Sequence, residues 1–210
     1  MSTSKMKTSN FFIRTTTTLI VLLVFGVCKA PASWAASGGA DDFIRQVGNE
    51  AIQSLTDKSL SEEQRKDKFR EILNRTFRVQ LLARFTLGRY WSQATPEQQK
   101  EYVSLFEDFV VLAYATRFKD YSGEDFRVGA VRDINSRDKL VNSKLVLKDG
   151  TAIPVHWRVR GGDSYKIIDV LVEGVSMAIT QRDEFAAIIR QRGGEVEGLL
   201  AALRKKTALK

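Results

Sequence analysis

Apolar residues recur every three or four positions through the first half of the chain after residue 40, which is the period of an amphipathic helix. Four helices are predicted here, over 41–56, 61–77, 79–85 and 96–121. Two of them begin at a capping box, in which a Ser or Thr is followed three residues later by Glu or Gln. Ser61 pairs with Gln64 in this way, and Thr95 pairs with Gln98.

After Gly123 the period changes from 3.6 to 2, which is typical of strands with one buried face. Four strands are predicted, one beginning at Phe126 and the others over 140–147, 153–160 and 165–172. Asp149-Gly150 predicts a hairpin turn between the second strand and the third. Pro154 predicts an edge position or a bulge for the third strand, because proline has no N–H to donate. Two more helices are predicted over 177–190 and 195–206.

Helices, then an antiparallel meander, then helices is the order of an α+β domain. The chain has 210 residues, of which 43% are hydrophobic and 28% charged. This is the composition of a globular protein rather than a disordered one, and the length suits one domain. We therefore expect a single domain over residues 36–210.

Residues 1–35 have the three parts of a cleavable secretory signal peptide. A basic start precedes a nine-residue apolar run at 19–27, which is far shorter than the roughly 20 residues of a membrane span. Small residues before the end of this segment predict cleavage after Ala35. The alternatives are an uncleaved anchor or a lipid attached at Cys28. The bacterial style of the signal predicts that the mature chain is periplasmic.

Charge and cysteine content exclude several function classes. The formal net charge of +8 falls to +4 without the predicted signal, which carries four basic residues and no acidic one. The remaining basic residues are interspersed with acidic ones, so no nucleic-acid partner is expected. The single Cys and single His exclude a disulfide scaffold and a Cys- or His-rich metal centre. We expect no metal and no cofactor.

The common catalytic motifs for hydrolysis, metal binding, phosphate binding and dinucleotide binding do not occur in this sequence. His156 is predicted to be an outward polar residue of a strand rather than a general base. Asp169 and Glu173 are four residues apart, which permits paired carboxylates for acid–base chemistry. A salt bridge or a turn contact is the favoured interpretation for this pair. We therefore predict no catalytic residues.

Aromatic residues are dense between Phe85 and Phe126, where ten occur. Such side chains bring a large apolar surface to the interface between helices and sheet. One interpretation is a well-filled core, and composition alone favours it. The other is a pocket for an apolar ligand, lined by the same side chains.

Three segments together resemble the MlaC/toluene-tolerance family of periplasmic phospholipid-binding proteins. They are 84–98 (RFTLGRYWSQATPEQ), 165–176 (YKIIDVLVEGVS) and 181–185 (QRDEF), in the order that the family has them. The resemblance spans roughly residues 41–204. Tyr165 stands where the family more usually has Trp, and Gln181 also departs from the usual pattern.

The resemblance implies an NTF2-like cone, in which helices pack over a curved antiparallel sheet of four to five strands. It implies a carrier that buries the acyl tails of a phospholipid between helices and sheet. Implied partners are an inner-membrane ABC transporter with a lipid-binding ring subunit and an outer-membrane lipoprotein–porin complex. The carrier would thereby maintain outer-membrane lipid asymmetry. A hopanoid cargo, as in a related branch of the family, and an enzyme on the same scaffold are the alternatives.

On the implied fold, residue type and face select fourteen candidate lipid contacts. They are Phe85, Tyr90, Phe106, Phe109, Val110, Tyr114, Val155, Trp157, Val159, Ile168, Val170, Val175, Met177 and Phe185. Arg89, Arg158 and Arg182 are candidates for the lipid head group, with a surface salt bridge as the favoured alternative for each.

Overall fold

A computed structural model describes residues 38–115, 123–162 and 164–208. The predicted signal peptide at 1–35 lies outside these residues. The helices are α1 Ala40–Leu55, α2 Glu62–Thr76, α3 Val79–Leu87, a 3-10 helix Gly88–Ser92, α4 Pro96–Tyr114, α5 Met177–Gln191 and α6 Val196–Ala208. The strands are β1 Asp125–Asp133, β2 Asp138–Val146, β3 Ala152–Arg160, β4 Lys166–Val172 and β5 Val175–Ser176.

Both predicted capping boxes are formed. The Ser61 hydroxyl accepts a hydrogen bond from the Gln64 amide at 3.2 Å, and the Gln64 side chain accepts one from the Ser61 amide at 2.9 Å. Thr95 and Gln98 make the same reciprocal pair at the start of α4. These bonds satisfy N–H groups that the first turn of a helix leaves unpaired, which fixes where α2 and α4 begin. The predicted stretch of α4 after Ala115 lies outside the described residues.

The five strands form one open antiparallel sheet in chain order, β1-β2-β3-β4-β5. Asp149-Gly150 makes the predicted hairpin between β2 and β3, and Gly150 has the positive φ that such a turn requires. A two-residue turn at Glu173 and Gly174, both with positive φ, connects β4 to the short β5. The predicted α+β class, with helices over a four-to-five-stranded antiparallel sheet, is confirmed.

The prediction that Pro154 marks an edge or a bulge is wrong, because β3 is the central strand and its bulged pairing with β4 lies at Arg158 and Val159. Pro154 is tolerated because it lies near the start of β3. Its carbonyl accepts a hydrogen bond from the Glu173 amide, which is in the turn after β4. The pairing of β3 with β4 begins one residue later, at Val155 and Val172. Pro154 therefore lies just beyond this ladder, where the lack of an N–H costs no ladder hydrogen bond.

Two clusters of buried side chains hold the helices and the sheet together. The first joins α3, α4, α5 and α6 around Tyr102, Phe106 and Phe185. The second joins α1 and Ile72 of α2 to the sheet through Val141, Val159 and Ile167. Phe69 of α2 and Phe77, which follows that helix, pack against both clusters. The space between the two clusters is where a cavity opens.

The junction between α2 and α3 is fastened to β4. The Arg78 amide donates to the Ile167 carbonyl at 3.0 Å, and Phe77 forms an isolated parallel bridge with Ile167. The Lys166 ammonium also donates to the Arg75 carbonyl. Because β5 covers only Leu171 and Val172, this junction occupies backbone groups of β4 that would otherwise be a free edge.

Candidate functional site

A cavity of about 610 Å³ lies between the helices and the sheet. The helices from α1 to α5 and the strands β3, β4 and β5 contribute to its wall. The described wall consists of Val47, Gly48, Ala51, Leu55, Phe69, Ile72, Leu73, Phe77, Val79, Leu82, Thr86, Phe106, Phe109, Val110, Tyr114, Trp157, Asp169, Val170, Val172, Glu173, Val175, Met177, Ala178 and Gln181. Its volume is that of a small-molecule site, and its wall is overwhelmingly apolar.

Gly48 sets the distance between α1 and β1 at one side of the cavity. A Cβ atom at this position would lie 2.4 Å from the Phe126 ring, so only glycine permits this approach. The Phe126 ring in turn packs edge-on against Trp157, with ring centroids 6.2 Å apart. A small residue on a helix therefore positions the large indole that forms the sheet side of the wall.

Trp157 has a fixed orientation. Its indole N–H donates to the Ser143 hydroxyl at 3.0 Å, and that hydroxyl donates to the Val155 carbonyl. The only polar atom of this side chain is thus satisfied away from the cavity, which leaves its apolar rings as the surface that a ligand would meet.

The helical side of the wall rests on an aromatic stack. Phe109 contacts the cavity and packs against Phe185, with centroids 5.7 Å apart, and Tyr102 and Phe106 also meet Phe185 edge-on. Tyr102 is fully buried, and its hydroxyl shares a hydrogen bond of 2.7 Å with Thr86. Burial raises the pKa of Tyr102, so this hydroxyl stays neutral. The stack makes this wall rigid.

The cavity is partly open to solvent, and part of its wall is polar. Tyr114 and Val175 both line the cavity and are exposed to solvent, Val175 with 55% of its surface. Asp169 also lines the cavity, and its carboxylate is occupied by the Ser176 hydroxyl at 2.6 Å and the Ala178 amide at 3.1 Å. Asp169 thereby fixes the start of α5, which is the turn contact that the sequence favours for this residue. Among the described wall residues there is no Lys or Arg.

Eight of the fourteen candidate lipid contacts are in this wall. They are Phe106, Phe109, Val110, Tyr114, Trp157, Val170, Val175 and Met177. They come from α4, from β3 to β5 and from the first residue of α5. The structure thus brings together the two groups of residues, helical and sheet, that the prediction placed on opposite sides of a ligand.

Four of the other candidates lie outside the wall of the cavity. Tyr90 and Phe185 are buried among the helices, where they support other residues. Phe85 is 41% exposed on the far side of α3, beneath Arg182. Val155 is opposite Ser143 and Val172 in the sheet but does not reach the cavity.

A bulge explains the remaining two candidates, Val159 and Ile168. Arg158 pairs with Asp169 and Val159 pairs with Ile167, so Ile168 is an extra residue without a partner on β3. Ile167 consequently takes the inward position and is fully buried with Val159 in the core between α1 and the sheet. Ile168 and Val170 would share a face only in a regular strand, and the sequence did not fix which face of residues 165–172 is inward, because both are apolar.

The three candidate head-group arginines do not line the cavity. Arg89 lies over the Tyr90 ring and donates to its hydroxyl at 3.0 Å. Arg182 lies over the Phe85 ring. Arg158 donates to Asp138 at 3.1 Å in an ion-pair cluster of the sheet.

That cluster is centred on Asp138, whose carboxylate is buried. Arg160 binds it through two donors at 2.7 and 3.0 Å, and Arg158 and Asn135 also donate to it. The Arg160 guanidinium, followed by Asn135 and Arg158, holds the pKa of Asp138 well below its usual range. The group therefore stays charged at any ordinary pH and serves to join β2 and β3.

Sequence reasoning missed the contributions of α1 and α2 to the cavity. Val47, Gly48, Ala51, Phe69 and Phe77 line it, and none was a candidate. The signal was present, because these residues lie on the apolar faces of predicted helices. Periodicity shows that a face is buried but does not show whether a side chain or a cavity lies opposite.

In the part of the chain that the structure describes, no three His, Cys, Asp or Glu side chains are arranged to hold a metal ion. No helix among the same residues is long and apolar enough to cross a membrane. His156 is half-buried in β3, opposite Asn142 and Leu171, and is not among the residues that line the cavity.

Comparison with known proteins connects this geometry to a family. The family model described as "MlaC protein" matches residues 45–205, from α1 to α6. The chain belongs to the MlaC family. This confirms the resemblance that the three sequence segments carry.

Two similar proteins show how far the likeness in sequence and in structure extends. The toluene tolerance protein ttg2D of Pseudomonas putida is 23% identical over 110 residues, which are 52% of this chain and 51% of that protein. The chain thus spans about half the length of this curated relative. The phospholipid-binding protein from Ralstonia solanacearum, solved in complex with a phospholipid, matches with a TM-score of 0.73 and 20% identity. The match covers 81% of this chain and 98% of that one.

Membership of the MlaC family points to a binding or transport protein rather than an enzyme.

Proposed function

We propose that this protein is a periplasmic lipid carrier that buries the acyl chains of a phospholipid in the cavity between its helices and its sheet. The observation that carries the proposal is the cavity of about 610 Å³, apolar along its wall and open beside Tyr114 and Val175. The chemistry of the wall matches two aliphatic tails, and the opening to solvent leaves room for a head group in water. The phospholipid seen with the Ralstonia protein of the same fold supports this assignment.

The energetics explain why such a lipid needs a protein. Burying one methylene is worth about 0.8 kcal/mol, so two tails with about 30 methylenes gain on the order of 20 kcal/mol gross against water. Release into water is therefore very slow. Delivery requires an acceptor that offers comparable burial directly at the opening of the cavity.

This requirement for contact supports the wider role. We infer that the carrier moves lipid between an outer-membrane complex and an inner-membrane ABC transporter, and so maintains outer-membrane asymmetry. The predicted signal peptide would deliver the chain to the periplasm between these membranes. Transfer of a fluorescent phospholipid that continues at the same rate across a dialysis membrane would contradict the requirement for contact.

Native mass spectrometry of the mature protein, purified from a Gram-negative periplasm, tests the cargo. We expect a one-to-one adduct that organic extraction identifies as a glycerophospholipid with two tails. A polycyclic lipid would place the protein in the hopanoid branch. A folded protein without any lipid adduct would contradict the proposal.

A matched pair of variants on α4 tests the location. Val110 lines the cavity, whereas Val103 is similarly half-buried on the same helix and packs against the helical core. Val110→Asp places a charge where the tails would lie, so we expect at least a tenfold loss of bound lipid. Val103→Asp should lower stability without emptying the cavity. Circular dichroism checks that both are folded, and equal loss of lipid from both would place the lipid elsewhere.

A further inference from the structure

A second depression, of about 480 Å³, lies on the outside of the molecule where α3 meets α5. Its residues are Leu81, Arg84, Phe85, Gly88, Trp91, Ser92 and Arg182. It is separate from the cavity, because the cavity is lined by Leu82 and Thr86 on the opposite side of α3. The lipid proposal leaves this surface without a role.

The depression combines exposed apolar side chains with arginines. Leu81 is 38% exposed and Phe85 41%, one helical turn apart on α3. Large apolar side chains exposed together with polar neighbours are a mark of interaction sites.

Aromatic rings hold both arginines of the depression. The Arg84 guanidinium lies 5.9 Å from the centre of the Trp91 ring, and that of Arg182 lies 5.1 Å from the Phe85 ring. Arg84 has no ion pair with any residue that the structure describes. Among the same residues, Arg182 has one ion pair, in which its Nε lies 3.4 Å from a carboxylate oxygen of the exposed Asp183. A cation–π contact does not use up the N–H donors of a guanidinium, and of the Arg182 donors only the Nε–H bonds a described carboxylate, that of Asp183.

The surrounding charge is positive. From residue 72 to residue 96 the sequence contains four arginines and no acidic residue. This stretch includes all of α3 and the 3-10 helix, although its Arg75 belongs to α2 and is paired with Glu50. The acidic residues beside Arg182 are Asp183 and Glu184 of α5, so it is the α3 side of the depression that attracts carboxylates.

We propose that this depression is a docking site for a segment of a partner protein that presents acidic side chains beside apolar ones. Carboxylates would pair with the edges of the Arg84 and Arg182 guanidinium groups. A guanidinium can bind a carboxylate through two parallel hydrogen bonds. An apolar side chain of the segment would cover Leu81 and Phe85. A concave site with oriented donors suits a protruding chain segment better than the flat surface of a membrane. The assignment does not depend on the cargo of the cavity.

Photo-crosslinking in the cells of the source organism tests this site. One variant carries benzoylphenylalanine in place of Leu81. A control variant of the same chain carries it in place of Val131 of β1, a residue that is exposed to nearly the same extent as Leu81. We expect a protein adduct from position 81 and none of the same mass from position 131. Mass spectrometry should map the adduct to a segment rich in Asp or Glu.

Charge reversal then decides whether the arginines recognise that segment. Arg84→Glu should reduce the adduct at least fivefold, and Arg132→Glu, the same change on exposed β1, should leave it unchanged. Replacing the acidic residues of the mapped segment by Lys should restore the adduct with Arg84→Glu. Bound lipid in Arg84→Glu, measured by native mass spectrometry, should equal that of the parent protein.

Four results would overturn the proposal. They are an adduct with lipid alone, no adduct from position 81, an adduct indifferent to Arg84→Glu, and loss of bound lipid in Arg84→Glu, which would make the depression part of the lipid site. The lipid proposal is judged separately by Val110→Asp, so the two can fail independently.

Discussion

Asp138 shows how a single buried charge can hold two strands together. Its carboxylate is met by Arg160, Arg158 and Asn135, and its pKa is lowered mainly by the bond from Arg160. A carboxyl group whose pKa is lower in the folded state stabilises the fold above its unfolded pKa of about 3.9. That contribution is lost as the pH falls through the lower folded value.

We therefore expect Asp138→Asn to lower the free energy of unfolding by roughly 1.5–3 kcal/mol at pH 7, which is the scale for hydrogen bonds to charged groups. The difference from the parent protein should be constant above about pH 5 and shrink below about pH 4. Urea unfolding at pH 3 to 7 measures it. Asp133→Asn, which removes an exposed partner of Lys139, is the control and should cost under about 1 kcal/mol. A pH-independent difference for Asp138→Asn would contradict the argument.

Among the elements, α4 contributes four residues to the helical wall of the cavity, as many as α1, and its start depends on Thr95. Thr95→Ala removes the acceptor for the Gln98 amide, so we expect a loss of about 1 kcal/mol in the free energy of unfolding. Thr95→Asp keeps an acceptor and should recover most of that loss. Ser104→Ala, at an exposed position inside α4, should change stability by only a few tenths of a kcal/mol. Equal effects of Thr95→Ala and Ser104→Ala in chemical denaturation would show that the cap is unimportant.

The sequence predicted the helices and strands well where the pattern that indicates them involves only residues close together in the chain. Capping boxes and the change of period after Gly123 depend on near neighbours, and they predicted the helices and the main strands within a few residues. The 3-10 helix Gly88–Ser92 was missed because five residues carry no periodicity. The inward residues of β4 were misassigned because one bulge, which depends on pairing with β3, moves Ile167 to the position predicted for Ile168.

At the scale of the molecule, the cavity is a property of how the elements meet. Among the described aromatic residues between Phe85 and Phe126, two groups bear on the two interpretations of this cluster, and the sequence alone could not separate them. Phe106, Phe109 and Tyr114 face the cavity, whereas Tyr90 and Tyr102 fill the core behind it. Both interpretations of the aromatic density therefore hold, each for part of the cluster. Which part faces the cavity depends on α1 and α2, whose long-range packing no local pattern encodes.

A cavity of this size makes the stability of the protein depend on its cargo. Apolar walls that face empty space or water lose the contacts that a buried lipid supplies. A ligand that binds only the folded state adds RT ln(1 + [L]/Kd), or about 2.7 kcal/mol at a hundredfold excess over Kd. For a domain of this size that corresponds to a rise in Tm of about 5–10 °C.

We therefore expect the protein purified with its lipid to unfold at a temperature higher by about that amount than the same protein after organic extraction and refolding. Differential scanning calorimetry compares the two, and adding back the extracted lipid should restore the higher Tm. Val110→Asp should unfold at nearly the same temperature before and after extraction, because its cavity holds little lipid to remove. If lipid is present in the parent protein and its removal leaves Tm unchanged, the lipid lies outside the fold. In that case the cavity between helices and sheet would not be the binding site.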